Sequence, residues 1–173
     1  MKLVEFPDDP KMLAREADTY RALGNGNGNG NGAGIPRVLW VGTECNFDVL
    51  VCNLLGPSLE DLLNYCHRRL SLKTILLVAD QAISQIEYIH SKGFLHRDIK
   101  PGNFVMGRGK KGNALHTIDF GHARQHSGAK AAQVWESDYV CADREFATLN
   151  DHYGRGAHTS RLHHFLFFFF FFC

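Results

Sequence analysis

The chain has no C-x-x-C pair, no long basic run and no apolar segment of the roughly 20 residues that a membrane-spanning helix needs. Each absence removes a class of function. The five cysteines, at 45, 52, 66, 141 and 173, are odd in number and scattered. That argues against a disulfide framework or a zinc site and reads as reduced thiols in a cytoplasmic or nuclear protein. Lys and Arg total 19 against 18 Asp and Glu, a formal charge of +1, so neither nucleic acid nor an anionic membrane finds support in the composition. "MKLVEFPDDPKM" places a proline and acidic residues where a secretory signal has an apolar core. The run "FLFFFFFFC", from Phe165 to Cys173, is too short to span a bilayer and lacks a polar face with which to lie on one. We read 162–173 as an aberrant Phe-rich tail of the kind that translation of a poly-T tract gives.

What is present fits one buried domain or two small lobes sharing a cleft: 173 residues, of which 45% are hydrophobic. "DDPKMLAREADTYRALG" has the marks of a helix, with Asp9 to cap it, Pro10 at its first position, Gly24 to close it, and a stripe of Leu13, Ala17, Tyr20 and Ala22/Leu23. Residues 24–34, "GNGNGNGNGAG", are low-complexity and form a loop. "IPRVLWVG" and "FDVLVCNLL" predict two strands joined by the turn "TECN". Ser58 followed by Asp61 has the form of a capping box. In "SLKTILLVADQAISQIEYIHSKG", Leu72, Ile75, Leu76, Ala79, Ala82, Ile83, Ile86 and Ile89 predict one broad buried helical face, which Gly93 ends. Two short strands around "GRGKKGN" complete an α+β chain with a small sheet first and helices after.

The chemistry lies in "FLHRDIKPGNFVMG" and in the Asp119-Phe120-Gly121 that follows it. Phosphoryl transfer asks a protein to position ATP, to neutralise its phosphates and to orient the attacking hydroxyl. Asp98 is placed to accept or orient that hydroxyl, and Lys100 to steady the transferring phosphate. Asn103 and Asp119 offer the oxygen donors that Mg2+, a hard cation, prefers. His96 and Arg97 brace the loop. Each triplet alone is weak, but His-Arg-Asp-x-Lys-x-x-Asn after a long amphipathic helix, with Asp-Phe-Gly closing the next strand, matches the protein-kinase signature in order and context.

The resemblance goes further. "LLGPSLEDLLNYC", "SLKTILLVADQAISQIEYIHSKGFLHRDIKPGNF" and "GRGKKGN" resemble the casein kinase 1 family of serine/threonine protein kinases from about Ile35 to Arg124. This implies a two-lobed kinase-like fold, incomplete here, with 1–161 as a partial kinase domain: an N-lobe remnant over 1–55 and a C-lobe portion over 56–161. It implies ATP and Mg2+ as cofactors and protein Ser/Thr hydroxyls as substrate, with an acidic or phospho-primed neighbour. By the same resemblance Glu16 is the helix glutamate and Lys2, fourteen residues upstream, is its partner on the phosphates of ATP. Cys52 stands at the back of the adenine pocket, Asn53 to Gly56 form the hinge, and the backbone of Leu55 meets the adenine edge. Thr148-Leu149-Asn150 takes the place of the family's Ser-Ile-Asn, and Arg144 that of a basic residue receiving acidic substrate.

Four features depart from the pattern. No Gly-rich phosphate-covering loop stands before Lys2, and the Gly-Asn run follows the helix and is not that loop. Gly102 replaces an acidic residue, His122 replaces an apolar one, and the chain turns to "LHHFLFFFFFFC" after Arg161. A truncated, inactive fragment acting as a binding module is therefore the alternative expectation. A small-molecule phosphotransferase of the aminoglycoside type fits less well, because Arg97 and the Phe-Gly after Asp119 argue against it.

Overall fold

The computed structural model describes residues 1–5, 11–24 and 34–125. Asp9 and Pro10, most of the Gly-Asn run, Arg144, Thr148 to Asn150 and the Phe-rich tail lie outside the described residues. Strand β1 (Lys2–Glu5) is followed by helix α1 (Met12–Gly24), strands β2 (Val38–Glu44) and β3 (Phe47–Cys52), and helices α2 (Leu59–Tyr65) and α3 (Leu72–Ser91). Four short strands follow: β4 (Phe94–Leu95), β5 (Phe104–Met106), β6 (Leu115–Thr117) and β7 (Arg124–Gln125). The expected α+β layout, a small sheet first and helices after, is what forms.

β3 is the centre of the first sheet, with β1 on one side and β2 on the other, both antiparallel. The β2–β3 hairpin turns at Cys45, whose φ of 53° is the left-handed geometry such a tight connection requires. β5 pairs with β6 across the "GRGKKGN" turn, and β4 pairs with β7. α2 starts with the capping box foreseen from Ser58 and Asp61. α3 starts at Ser71, whose hydroxyl accepts from the Thr74 N–H, and is ended by Gly93 at φ 76°.

Two apolar clusters hold these pieces. α1 packs Leu13, Ala17, Tyr20 and Leu23 against Leu50 of β3, Ile89 of α3 and Phe120. α2 and α3 meet Phe104 and Leu115 through Leu59, Leu63, Ile75, Val78, Ala82 and Ile86. Each fully buried side chain of this size contributes about 1.5–3 kcal/mol. The buried face of α3 is not quite the expected one. Leu72 and Leu76 are exposed, while Val78 and Gln85 are buried in their stead. The stripe is turned around the helix because β6 offers hydrogen-bonding groups on that side. Gln85 donates to the Leu115 carbonyl at 2.6 Å and accepts from the Thr117 hydroxyl, and Gln81 accepts from the Leu115 N–H at 2.8 Å. A polar residue at a core position was invisible to an apolar count.

Gly34 closes this network. Its carbonyl accepts from Thr117 N–H at 2.8 Å, its φ is +71°, and a Cβ there would lie 2.3 Å from Gln85 Nε2 and 2.8 Å from the Leu115 carbonyl oxygen. Gly34→Ala therefore lowers stability by on the order of 2 kcal/mol. Gly102→Ala, where nothing lies within 4 Å of the added carbon, leaves the thermal midpoint close to the parent's. Equal midpoints for the two variants in a thermal melt would contradict this account.

Candidate active site

The loop from His96 to Asn103 is shaped by bonds to its own backbone and to the turn around Asp119. Arg97 has φ 66°, a left-handed conformation that non-glycine residues adopt only where their surroundings impose it. Here the Arg97 guanidinium donates through Nε to the His122 carbonyl at 2.7 Å. His96 is 3% exposed and is tied at both ring nitrogens. Nε2 donates to the Ile118 carbonyl at 3.0 Å, and Nδ1 accepts from the Asp98 N–H at 3.3 Å. That arrangement needs the neutral ring, and burial holds the His96 pKa below its usual value of 6.5.

Asp98 is 3% exposed. Its Oδ2 accepts from Asn103 Nδ2 at 2.8 Å and faces Lys100 Nζ at 3.1 Å. Asn103 Nδ2 also donates to the Asp98 carbonyl at 2.8 Å, so its amide nitrogen is committed and its Oδ1 is the atom left for a metal. Oδ1 of Asp98 is buried and has no hydrogen-bond partner among the described residues. A buried carboxylate oxygen without a donor is costly unless a ligand supplies one.

A second constellation faces this loop. Lys2 Nζ lies 2.8 Å from Glu16 Oε2 and 2.7 Å from Asp119 Oδ1. β1 supplies the lysine, α1 the glutamate, and the turn after β6 the aspartate. Asp119 has φ 64°, and its N–H donates to the Tyr20 hydroxyl of α1 at 2.8 Å. Phe120 is buried between Tyr20, in edge contact at 4.8 Å between ring centroids, and His96 at 4.9 Å. This packing turns the Asp119 carboxylate toward Lys2.

The charges respond to that geometry. Burial opposes the charge on Lys2, but the hydrogen bonds to Asp119 and then Glu16 outweigh it and raise its pKa. Burial likewise opposes the Asp119 carboxylate, and the hydrogen bond and charge of Lys2 outweigh it and lower its pKa. For Glu16 burial wins. Its side chain is 1% exposed, its Oε1 has no hydrogen-bond partner among the described residues, and its pKa is raised although Lys2 pulls it down. The two partners of the Lys2–Glu16 pair therefore shift in ways that seem opposed at first sight. They differ because Lys2 has two carboxylates to stabilise it, whereas Glu16 has only part of one lysine.

The sequence-predicted residues thus fall into two facing groups: Asp98, Lys100 and Asn103 in one, Lys2, Glu16 and Asp119 in the other. Leu55 stands apart, in the connection between β3 and α2, and its backbone makes no hydrogen bond among the described residues. Sequence reasoning missed Tyr20, counted only as an apolar helix residue, although a buried tyrosine hydroxyl needs a partner. No group of three His, Cys, Asp or Glu side chains able to hold a metal occurs among the described residues. Mg2+ needs no such cage, because one carboxylate and one carbonyl with the phosphates of a nucleotide suffice. Asp119 Oδ and Asn103 Oδ1 are of that kind, so the donor set fits the group. The family model of the protein kinase domain matches residues 43–148, more than half of the chain.

Because His96 is neutral when folded, protonation costs stability. Between its depressed native pKa and the ordinary 6.5, the unfolded chain binds a proton that the folded chain refuses. Stability is therefore full above 6.5 and falls as the pH drops below it. His116, whose pKa is also lowered mainly by burial, adds a loss of the same sign. Thermal midpoints measured from about pH 8 to about pH 5 should fall on acidification. Glu16, whose pKa burial raises, contributes with the opposite sign, so the deciding comparison is with His96→Gln. Its midpoint should fall less than the parent's, and an equal fall would overturn the assignment of a neutral His96.

Proposed function

Because the chain belongs to the protein kinase family, we propose that it transfers the γ-phosphoryl group of ATP to Ser or Thr hydroxyls of proteins, in the manner of the casein kinase 1 family. The observation that carries this reading is the unpartnered, buried Oδ1 of Asp98. With Oδ2 held by Asn103 and Lys100, Oδ1 is the one acceptor left for a hydroxyl proton. The substrate oxygen attacks the γ-phosphorus, the bond from that phosphorus to the bridging oxygen breaks, ADP leaves, and the hydroxyl proton passes to Asp98. Lys100, within reach of the same carboxylate, steadies the charge on the transferring group. Bound to Asp119 and Asn103, Mg2+ supplies charge neutralisation of the phosphates.

Lys2 serves the α- and β-phosphates while Glu16 keeps it in place. Its 2.7 Å contact with Asp119 gives way to the nucleotide and metal, since both residues then have new partners of opposite charge. The adenine edge meets the backbone of Leu55. Residues 1–55 act as the nucleotide-side half and 56–161 as the substrate-side half, with acidic or phospho-primed sequences as substrate and the cytoplasm or nucleus as the place of action. A second reading, a non-catalytic binding module, draws on Leu72, Leu76 and Leu77, three large apolar side chains exposed on α3.

One assay separates the two. The purified chain, given labelled ATP, Mg2+ and an acidic Ser-containing peptide, should label the peptide, and Asp98→Asn should lower turnover by on the order of a thousandfold. Nucleotide binding without any transfer by the parent chain would favour the binding module.

A further inference from the structure

The connection between β3 and α2 forms one wall of a cavity of about 270 Å³, and Leu55 is among the residues that line it. Arg37, Arg108, Lys111 and His116 line it, with Asn53 and Leu54 beside them. None of Lys2, Glu16, Asp98, Asn103 or Asp119 does, so it is separate from the two facing groups described above. Three permanent cations come to it from two separate stretches of chain. Arg37 stands at the entry to β2, while Arg108 and Lys111 belong to the β5–β6 turn.

Among the described residues the cations have no counter-charge. No Asp or Glu lines the cavity, and among the described residues Arg37, Arg108 and Lys111 form no ion pair. What sets Arg37, Arg108 and Lys111 apart from other exposed cations is that they converge on one concavity. Like charges gathered around one concavity repel each other, and an anion placed between them removes that cost.

The display is also rigid. The Lys111 N–H donates to the Arg108 carbonyl at 3.2 Å, and the Gly107 N–H to the Ala114 carbonyl at 2.8 Å. The turn is so tight that a Cβ on Gly107 would lie 2.1 Å from the Lys111 carbonyl oxygen. Across the cavity, the Arg37 N–H donates to Asn53 Oδ1 at 2.8 Å and the Arg37 carbonyl accepts from the Asn53 N–H at 3.2 Å. Both backbones are therefore fixed before any ligand arrives, which limits the entropy lost on binding.

We infer that this cavity is a binding site for a phosphate monoester dianion, held by Arg37, Arg108 and Lys111. Two arginine forks and an ammonium match the several oxygens of a tetrahedral dianion better than the two of a single carboxylate. Leu54, 76% exposed at the rim, offers an apolar contact to whatever carries the phosphate. The chemistry is shared by free phosphate and by a phosphoserine borne on a protein, and a titration distinguishes them.

The backbone amides of the full chain around Arg37 and from Arg108 to Lys111 can be followed by NMR. Inorganic phosphate, then a phosphoserine peptide and its unphosphorylated form, would be added at constant ionic strength. Saturable movement of those amides is expected with phosphate and with the phosphopeptide, not with the plain peptide. The exposed pair Arg108→Ala and Lys111→Ala, and separately Arg37→Ala on the opposite wall, should each weaken binding about tenfold or more. Tighter binding of the phosphopeptide than of phosphate identifies a protein-borne ligand; equal binding identifies the free oxyanion. The site is refuted by shifts that never saturate, by shifts confined to the surroundings of Lys2 and Lys100, or by variants that bind within about twofold of the parent.

Discussion

One ammonium group holds together the cluster of Lys2, Glu16 and Asp119. Lys2 joins the sheet, through β1, to both the helix glutamate and the Asp119 turn. Glu16 is placed by the packing of Leu13, Ala17 and Tyr20 on either side of it along α1. Asp119 is placed by Tyr20 and by the burial of Phe120. Without the lysine, two carboxylates would face each other across a partly dry gap, and the raised pKa of Glu16 shows that even one is held there against the pull of burial.

The other half of the site depends on hydrogen bonds more than on charge. His96 spans the Ile118 carbonyl and the Asp98 N–H, so the catalytic loop and the strand leading to Asp119 are pinned by the same ring. The Ile118 N–H in turn donates to the Asn103 carbonyl at 2.9 Å. The loop and the Asp119 turn therefore move as one body. Gln81 and Gln85 extend this body into α3 through β6. The positions of Asp98 and Asp119 are set relative to each other by neutral groups, which salt does not screen.

Much of this was legible in the residues, for particular reasons. Ser58 with Asp61, and Gly93 after a periodic run, are local signals, and local signals survive because they act within one turn of chain. The spacing from Asp98 to Asn103 is local in the same sense. Lys2 and Glu16 were legible only through resemblance, since nothing in a lysine second in the chain announces an ion pair. The exposed Leu72 and Leu76 show the limit of periodicity. Eight apolar positions predict a face, but its edges are drawn by what packs against it, and Gln85 was preferred for its hydrogen bonds to β6. The cations of the outer cavity escaped for a related reason. A net charge of +1 says nothing of three basic residues that meet only after folding.

The separations in sequence carry a consequence for how the site comes into being. The bonds that shape the His96–Asn103 loop link residues 2, 5, 22 and 25 apart. The bonds of the facing group link residues 14, 99 and 117 apart. Closing a loop costs entropy that grows with the logarithm of its length, and such contacts return nothing until the loop is closed. The His96–Asn103 loop can thus acquire its shape before the longest loops of the chain have closed. The arrangement around Lys2 exists only in the closed chain, so a probe of the Lys2–Asp119 pair would report on completed folding, whereas order in the loop would not.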